Sequence, residues 1–342
     1  MATRNRSRNF EYEEKTMKAV WYEATGAAQD VLEFGDLPQP VAGAGEVLVR
    51  VKTSGVNPSD VKSRAGLRGP IPFPRVIPHS DGAGTIEAVG EGVDTSRIGE
   101  RVWIWNAAWR RAFGTCSELM AIPSAQAVPL PDNTGFDAGA CLGIPASTAY
   151  HGVFSDGTVE GQTILVTGGA GAVGHYAIQF AKYGGAQVIT TVSGDTKAAH
   201  AKTAGADHVI NYKTESVHEK VMDLTHGAGV DRVIEVEFGG NLAEIAPVLK
   251  AGAVIATYGS MADPNPAIPF YDLMFKNVTL KMYLVYLLSE AARKQTVEGV
   301  NAALASGKIS HAIAKRVPLK ETARAHELVE ATSEMGNIII EI

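Results

Sequence analysis

The chain has almost no cysteine: Cys116 and Cys141 stand alone in 342 residues. Two isolated thiols make no disulfide framework and fit a reducing, cytoplasmic setting. No C-x₂-C pair occurs, and no histidine neighbours either cysteine in sequence. The Cys₄ and Cys₂His sets that hold structural and catalytic zinc are therefore missing, and no metal is expected. His79, in Pro78-His-Ser-Asp-Gly-Ala-Gly84, is the one histidine in a suggestive place, again with no cysteine beside it. The sequence lacks an apolar run near the ~20 residues of a membrane helix. It also lacks a Lys/Arg block, and its net charge is −6, so neither nucleic acid nor an anionic membrane is an expected partner. No G-x-S-x-G elbow is present to support serine hydrolysis. Residues 1–16 carry mixed charge without an apolar centre, unlike a secretory signal, and are expected to form a disordered extension before Met17.

What is present is an ordinary globular composition, 45% apolar and 20% charged, long enough for two domains. From Met17 the chain is rich in short strands and turns. Val47-Leu-Val-Arg-Val-Lys52 alternates as a half-buried strand does, Gly and Pro cluster from Gly66 to Pro78, and Ala83–Gly90 and Val102–Trp105 follow as short strands. This predicts a mostly antiparallel β domain over 17–142. From Gly143 continuous apolar strands alternate with helices: Thr163–Thr167, Val188–Val192, Ala206–Asn211, Val230–Glu235 and Gly252–Thr257. Unbroken apolar strands with intervening helices predict a doubly wound parallel sheet, the Rossmann arrangement, over 143–277. The tail, 278–342, offers a long helix (Ser289–Ser306), short strands around Ala314–Val317 and Ile338–Ile342, and a helix over Glu321–Ala331.

Thr167-Gly-Gly-Ala-Gly-Ala-Val-Gly174 places G-x-G-x-x-G at Gly169, Gly171 and Gly174, between the end of a buried strand and a helix over Ala172–Tyr183. In that context the glycines permit a tight turn and let the backbone of Gly169, Ala170, Gly171, Ala172 and Val173 approach a pyrophosphate at the helix N-terminus. Gly174 allows close packing of helix on sheet. An NAD site carries Asp or Glu after the second strand to accept from the ribose hydroxyl. Here that strand ends Thr191-Val192 and Ser193-Gly194 follows, Lys197 opens the next helix, and Tyr212 closes the next strand. A hydroxyl, an ammonium and a phenol suit a 2′-phosphate better, so NADPH is the expected cofactor. Without a metal to polarise a carbonyl, alcohol oxidation gives way to hydride addition to a conjugated acceptor, which delocalises the incoming charge.

Gly55-Val-Asn-Pro-Ser-Asp60, Arg64 with Gly66, Asp81-Gly-Ala-Gly84, Ile86-Glu-Ala-Val-Gly90, Gly114-Thr-Cys-Ser-Glu118, Gly143-Ile-Pro-Ala-Ser-Thr-Ala-Tyr150 and Gly205-Ala-Asp207 join the glycine loop as landmarks. On them the chain resembles, from Met17 to Ile342, the zeta-crystallin-like quinone oxidoreductases, a zinc-free branch of the medium-chain dehydrogenase/reductase superfamily. The resemblance implies a GroES-like β domain completed by the C-terminal tail, with the Rossmann domain inserted. It also implies a homodimer through edge-to-edge sheet pairing, NADPH, and a quinone or similar conjugated carbonyl as substrate. It puts Asn57 and Asp60 near the nicotinamide, Thr148 near the cofactor, Lys197 and Tyr212 on the 2′-phosphate, and Tyr258, Gly259 and Ser260 on a loop facing the nicotinamide. Three departures put the substrate in question: Val61-Lys62 where relatives often carry an aromatic, Glu237 in place of a small or polar residue, and Trp105 with Trp109 on the pocket wall.

Each catalytic candidate has a plainer reading. Asn57 precedes Pro58, where Asn is a common turn residue. Asp60 would orient Asn57 or cap the following helix. Arg64 would line the cleft mouth or pair with Asp81. A 2-alkenal or enoyl reductase on the same fold, or an NADPH-binding protein with negligible turnover, shares every cofactor residue.

Overall fold

The computed structural model describes residues 15–342. Of the extension expected over residues 1–16, residues 1–14 lie outside that range, and Thr16 belongs to a strand. β1 (Thr16–Trp21) pairs antiparallel with β2 (Glu33–Pro38). β3 (Glu46–Val56) is the spine of the first domain. Val47, Val49 and Val51 are buried while Arg50 and Lys52 are exposed, the alternation of a strand with one wet face. β3 lies against β4 (Asp81–Val89) from Val47 to Gly55, β4 continues to β5 (Arg101–Ile104), and β6 (Leu119–Pro123) takes the first half of β3. β7 (Ala127–Pro129) closes that side against β5.

The parallel sheet follows: β8 (Thr163–Val166), β9 (Gln187–Val192), β10 (His208–Asn211), β11 (Val230–Glu235), β12 (Leu249–Thr257) and β13 (Thr279–Met282), in the spatial order β10-β9-β8-β11-β12-β13. β8 and β11 are buried on both faces. The exception in their pattern, buried Arg232, is partnered by Asp156 at 2.9 Å and the Gly152 carbonyl at 2.8 Å. β13 corrects the expected boundary at 277: it pairs in parallel with β12. Its short sequence, Thr-Leu-Lys-Met, carries no long apolar run to mark it as a sheet member, because an edge strand is buried on fewer sides. The tail then returns to the first domain as β14 (Ile313–Pro318) and β15 (Asn337–Glu341), β15 pairing with the second half of β3.

The domains share one core. Trp103 from β5, Leu142 and Val153 from the junction, Tyr176 and Phe180 from the Ala172–Tyr183 helix, and Val300 and Leu304 from the Glu290–Ala305 helix form a single buried cluster. The Trp103 indole also donates to Asn301 Oδ1 at 3.0 Å. The sheet order reverses between β8 and β11, which puts the crevice of a doubly wound fold at their C-terminal ends.

Candidate active site

Two cavities meet at the Pro58–Arg64 helix. The first, about 310 Å³, lies over the sheet reversal, and its lining includes Asn57, Gly168, Ala170, Gly171, Ala172, Ser193, Lys197 and Tyr212. The second, about 370 Å³, has Ser59, Asp60 and Ser63 of the same helix in its wall.

The first owes its shape to the glycine run. Gly168 takes a φ of 67°, and its N–H donates to Thr191 Oγ1 at 3.1 Å, while Gly169 N–H reaches the Thr191 carbonyl at 3.1 Å. The loop is thereby folded back on β9. A Cβ at Gly169 would sit 2.8 Å from Ile178 Cδ1, and one at Gly174 would sit 2.9 Å from backbone atoms of Gly168 and Gly169. Gly169 thus turns toward the sheet, and Val173 packs on the core. Of the expected loop residues, Ala170, Gly171 and Ala172 are the ones that line the cavity. The helix begins at Ala172 with no side-chain cap, leaving its first-turn N–H groups for an anion. Glu235, at the end of β11, holds the crevice floor: its Oε1 accepts from Thr167 Oγ1 and Asn241 Nδ2, each at 2.9 Å, and burial raises its pKa.

Lys197 stands in the first turn of the Asp195–Thr203 helix and Tyr212 follows β10 with half its surface exposed (52%). Neither has a side-chain partner among the described residues, whereas Lys182, Lys220 and Lys250 in the same domain are each paired with a carboxylate. The cavity's far wall was not foreseen. Leu328, Glu334 and Asn337 come from the C-terminal tail, which β15 brings alongside β3. No local motif marks them; only the long-range pairing does.

Asn57 ends β3. Pro58 begins the helix where a missing N–H costs nothing. The Asp60 carboxylate accepts from Asn57 N–H at 2.8 Å, and the Asn57 side-chain amide donates to Asp81 Oδ2 at 2.9 Å. That oxygen also accepts from Ile144 N–H at 3.1 Å, freed where the chain widens into a π-helical turn around Pro145. Asn57 is thus held rigidly at the cleft edge with one amide hydrogen committed. Burial pushes the Asp60 carboxyl up to about 7, against the pull of the Asn57 amide and Arg68, and pushes Asp81 well above the carboxylate range. A raised pKa means that Asp60 stabilises the fold below about pH 4 and that this contribution is lost as pH rises through about 7. We expect Asp60→Asn to gain thermal stability relative to wild type between pH 5 and 8, by on the order of a few kcal/mol. Melting curves across that range that stay parallel for the two proteins would overturn the assignment.

Arg64 departs from expectation. It is fully buried and bonds to the Gly26 carbonyl and to Glu330, locking its helix onto the Thr322–Ala331 helix. It faces neither cavity and pairs with Glu330 rather than Asp81, so it serves packing between helices and not the cleft expected of it. Tyr258, Gly259 and Ser260 line a third and larger hollow of about 910 Å³ beside the cleft. Ser260 Oγ accepts from Gly239 N–H at 2.9 Å and donates to the Asp263 carbonyl. Thr148 is buried in the Ser147–Phe154 helix, outside these cavities, its carbonyl taken by the Tyr283 hydroxyl at 2.8 Å. Glu237 is explained by this loop. Its carboxylate accepts from Met261 N–H at 2.8 Å and Ala262 N–H at 2.9 Å, while Lys62 reaches Met261 Sδ at 3.1 Å from the other domain. Glu237→Ala should lower the melting temperature by roughly 2–4 °C, since two charge-assisted bonds are lost at a half-buried site; an unchanged melting curve would mean the loop is held otherwise.

The second cavity is walled by Trp109 and Tyr286, stacked at 4.6 Å between ring centres. The Tyr286 hydroxyl lies 3.0 Å from Ser59 Oγ and 3.4 Å from Ser80 Oγ. His79, buried beneath, has a φ of 79° and meets His326 Nε2 at 2.9 Å and Ser54 Oγ at 2.8 Å. Burial lowers its pKa to about 3, so it is a neutral hydrogen-bonding member of the core. Among the described residues no three His, Cys, Asp or Glu side chains converge in a metal-binding group.

A two-domain frame with a glycine-loop crevice over a six-stranded parallel sheet is that of the alcohol dehydrogenases, and the comparisons agree. Residues 43–132 match the alcohol dehydrogenase GroES-like domain, and residues 172–303 match the family described as zinc-binding dehydrogenase. A zinc-type alcohol dehydrogenase-like protein of Schizosaccharomyces pombe is 30% identical over 94% of this chain and 97% of its own length. The chain belongs to the medium-chain dehydrogenase/reductase superfamily and is an oxidoreductase. Within that superfamily it is similar to quinone oxidoreductases: that of Rattus norvegicus is 28% identical, over 96% of this chain and 98% of the relative. A mycobacterial protein solved in complex with NADPH superposes with a TM-score of 0.82 at 29% identity, over 95% of this chain and all of that one.

Proposed function

We propose that this protein transfers a hydride from NADPH to a quinone or a related conjugated carbonyl compound. The observation that carries the reading is the first cavity, where the uncapped helix start, the glycine loop, and Lys197 and Tyr212, without side-chain partners among the described residues, converge with Asn57. NADPH, when bound, supplies the hydride. The backbone at Ala170, Gly171 and Ala172 would receive the pyrophosphate, and Ser193, Lys197 and Tyr212 the 2′-phosphate. Asn57, fixed by Asp81, keeps one amide hydrogen for the ribose or for the oxygen that gains charge in the acceptor. Trp109 and Tyr286 offer a flat apolar wall to a conjugated ring, and orientation against that wall supplies much of the acceleration. The acceptor gains one hydride and one proton, the latter from water, while the cofactor leaves as NADP⁺.

The similarity to quinone oxidoreductases supports this reading. We further infer a homodimer. β13 leaves an open sheet edge, and Phe270, Tyr271, Met274, Phe275, Met282 and Leu287 expose apolar surface around it. Light scattering on the purified protein tests the mass. Absorbance at 340 nm with 1,4-benzoquinone, a naphthoquinone, an alkenal and a simple aldehyde tests the reaction. Oxidation of NADPH by the quinones and not by the aldehyde is expected. Tight NADPH binding without turnover on any acceptor would defeat the reading.

A further inference from the structure

We infer that the acceptor carries an oxyanion of its own, bound at the mouth of the second cavity by Arg68 and Arg110. The inference rests on the reductase reading above and deepens it. Four arginines crowd this face of the β domain. Arg75 is bonded to Glu23 at 2.6 Å, and Arg111 reaches Glu46 at 3.5 Å and the Ala121 carbonyl at 2.7 Å. Arg68 and Arg110 have neither a carboxylate nor a hydrogen-bond partner among the described residues, and they are the two that line the cavity. An exposed arginine is ordinarily a solvated surface residue, and two further features set these apart.

Arg110 is held in the left-handed region, at a φ of 57°, four residues after Asn106 at 54°. A non-glycine residue there is strained, and such strain persists where the surroundings fix the position. Its guanidinium lies 5.5 Å from the Trp109 ring centre, and Trp109 is itself stacked on Tyr286, so the cation is anchored to the cavity wall. Arg68 lines the same cavity, near enough to Asp60 and Lys62 to perturb both. Two unneutralised forks at the mouth and neutral donors, Ser59 and Tyr286, within make a layout for a flat conjugated molecule whose carbonyl enters first and whose anion stays at the rim. A chain of net charge −6 has no general attraction for anions, so the preference would be local.

The experiment pairs acceptors of equal conjugation and unequal charge: trans-3-benzoylacrylate against its methyl ester, and crotonyl-CoA against crotonyl-pantetheine. The first pair reads a carboxylate and the second reads phosphates. With NADPH saturating, at least one anionic member should exceed its neutral partner in kcat/KM by about tenfold. Arg68→Gln and Arg110→Gln should each remove about threefold of that advantage without changing the neutral member. Equal rates within both pairs, or variants that slow charged and neutral members alike, would overturn the inference. The underlying reading fails separately, if neither benzoquinone nor any enone oxidises NADPH. Calorimetric titration of the first pair then still decides: binding of the acid, lost in the double variant and not seen with the ester, supports the anion site, and equal binding of both refutes it.

Discussion

Lys197→Ala should raise the KM for NADPH by about 10- to 150-fold and leave the KM for NADH unchanged, because a charge-assisted bond to phosphate is worth roughly 1.5–3 kcal/mol and only one of the two cofactors has that phosphate. The argument begins at the end of β9. Val192 gives way to Ser193 and Gly194, so the chain offers no carboxylate just past β9 to receive a ribose diol, and the acidic residue in the cavity lining, Glu334, comes instead from the tail. Lys197 follows in the first turn of a helix whose N-terminal dipole adds to its charge. Tyr212 approaches from β10, its hydroxyl without a partner among the described residues. Tyr212→Phe should therefore cost less, about three- to tenfold on NADPH alone, as expected for one neutral donor. Ser193→Asp should act oppositely, repelling the phosphate and offering an acceptor to NADH. Initial rates with both cofactors on the same acceptor decide the matter. A Lys197→Ala enzyme that loses both cofactors equally would place the lysine in the fold rather than in phosphate recognition.

How far such an argument could be made from sequence depends on the range of the interaction. The Ala172–Tyr183 helix and the strands beside it were legible because each is a local signal: an unbroken apolar run, then glycines, then a helical period. Ser193, Lys197 and Tyr212 were legible for the same reason, each lying just past the end of a readable strand. Arg64 was not. Its partner Glu330 is 266 residues away, and nothing near Arg64 distinguishes a buried clasp from a cleft residue. His79 drew notice as a lone histidine, yet what defines it is a positive φ and His326, 247 residues on. The tail residues of the first cavity share this character. Even inside the glycine motif, sequence spacing marked Gly169, whereas the left-handed turn falls on Gly168 and Gly169 faces β9. Spacing gives the motif; only the packed neighbours say which atom points where.

That last distinction gives the second large effect. Gly174→Ala should weaken NADPH binding by roughly 10- to 100-fold, although the substituted residue lines no part of the cavity. A Cβ at 174 meets the backbone of Gly168 and Gly169 at 2.9 Å, closer than a methyl group can approach, and neither is the movable end of a side chain. Either the helix lifts from the loop or the loop moves toward the cleft. Both carry the first-turn N–H groups away from the pyrophosphate they would hold. Forcing one methylene-sized group into a packed site costs about 1–3 kcal/mol, and either displacement passes that cost to binding. Fluorescence titration with NADPH, run beside a melting curve, separates the two outcomes. Gly135→Ala is the control, since a Cβ there meets nothing within 4 Å. If Gly174→Ala binds NADPH as wild type does, the helix start is not the seat of the pyrophosphate. If it melts far below Gly135→Ala while binding normally at low temperature, the glycine serves the packing of helix on sheet alone. Lost binding with an intact melt is the expected result, and it would tie the close approach of two backbones at the sheet reversal directly to cofactor recognition.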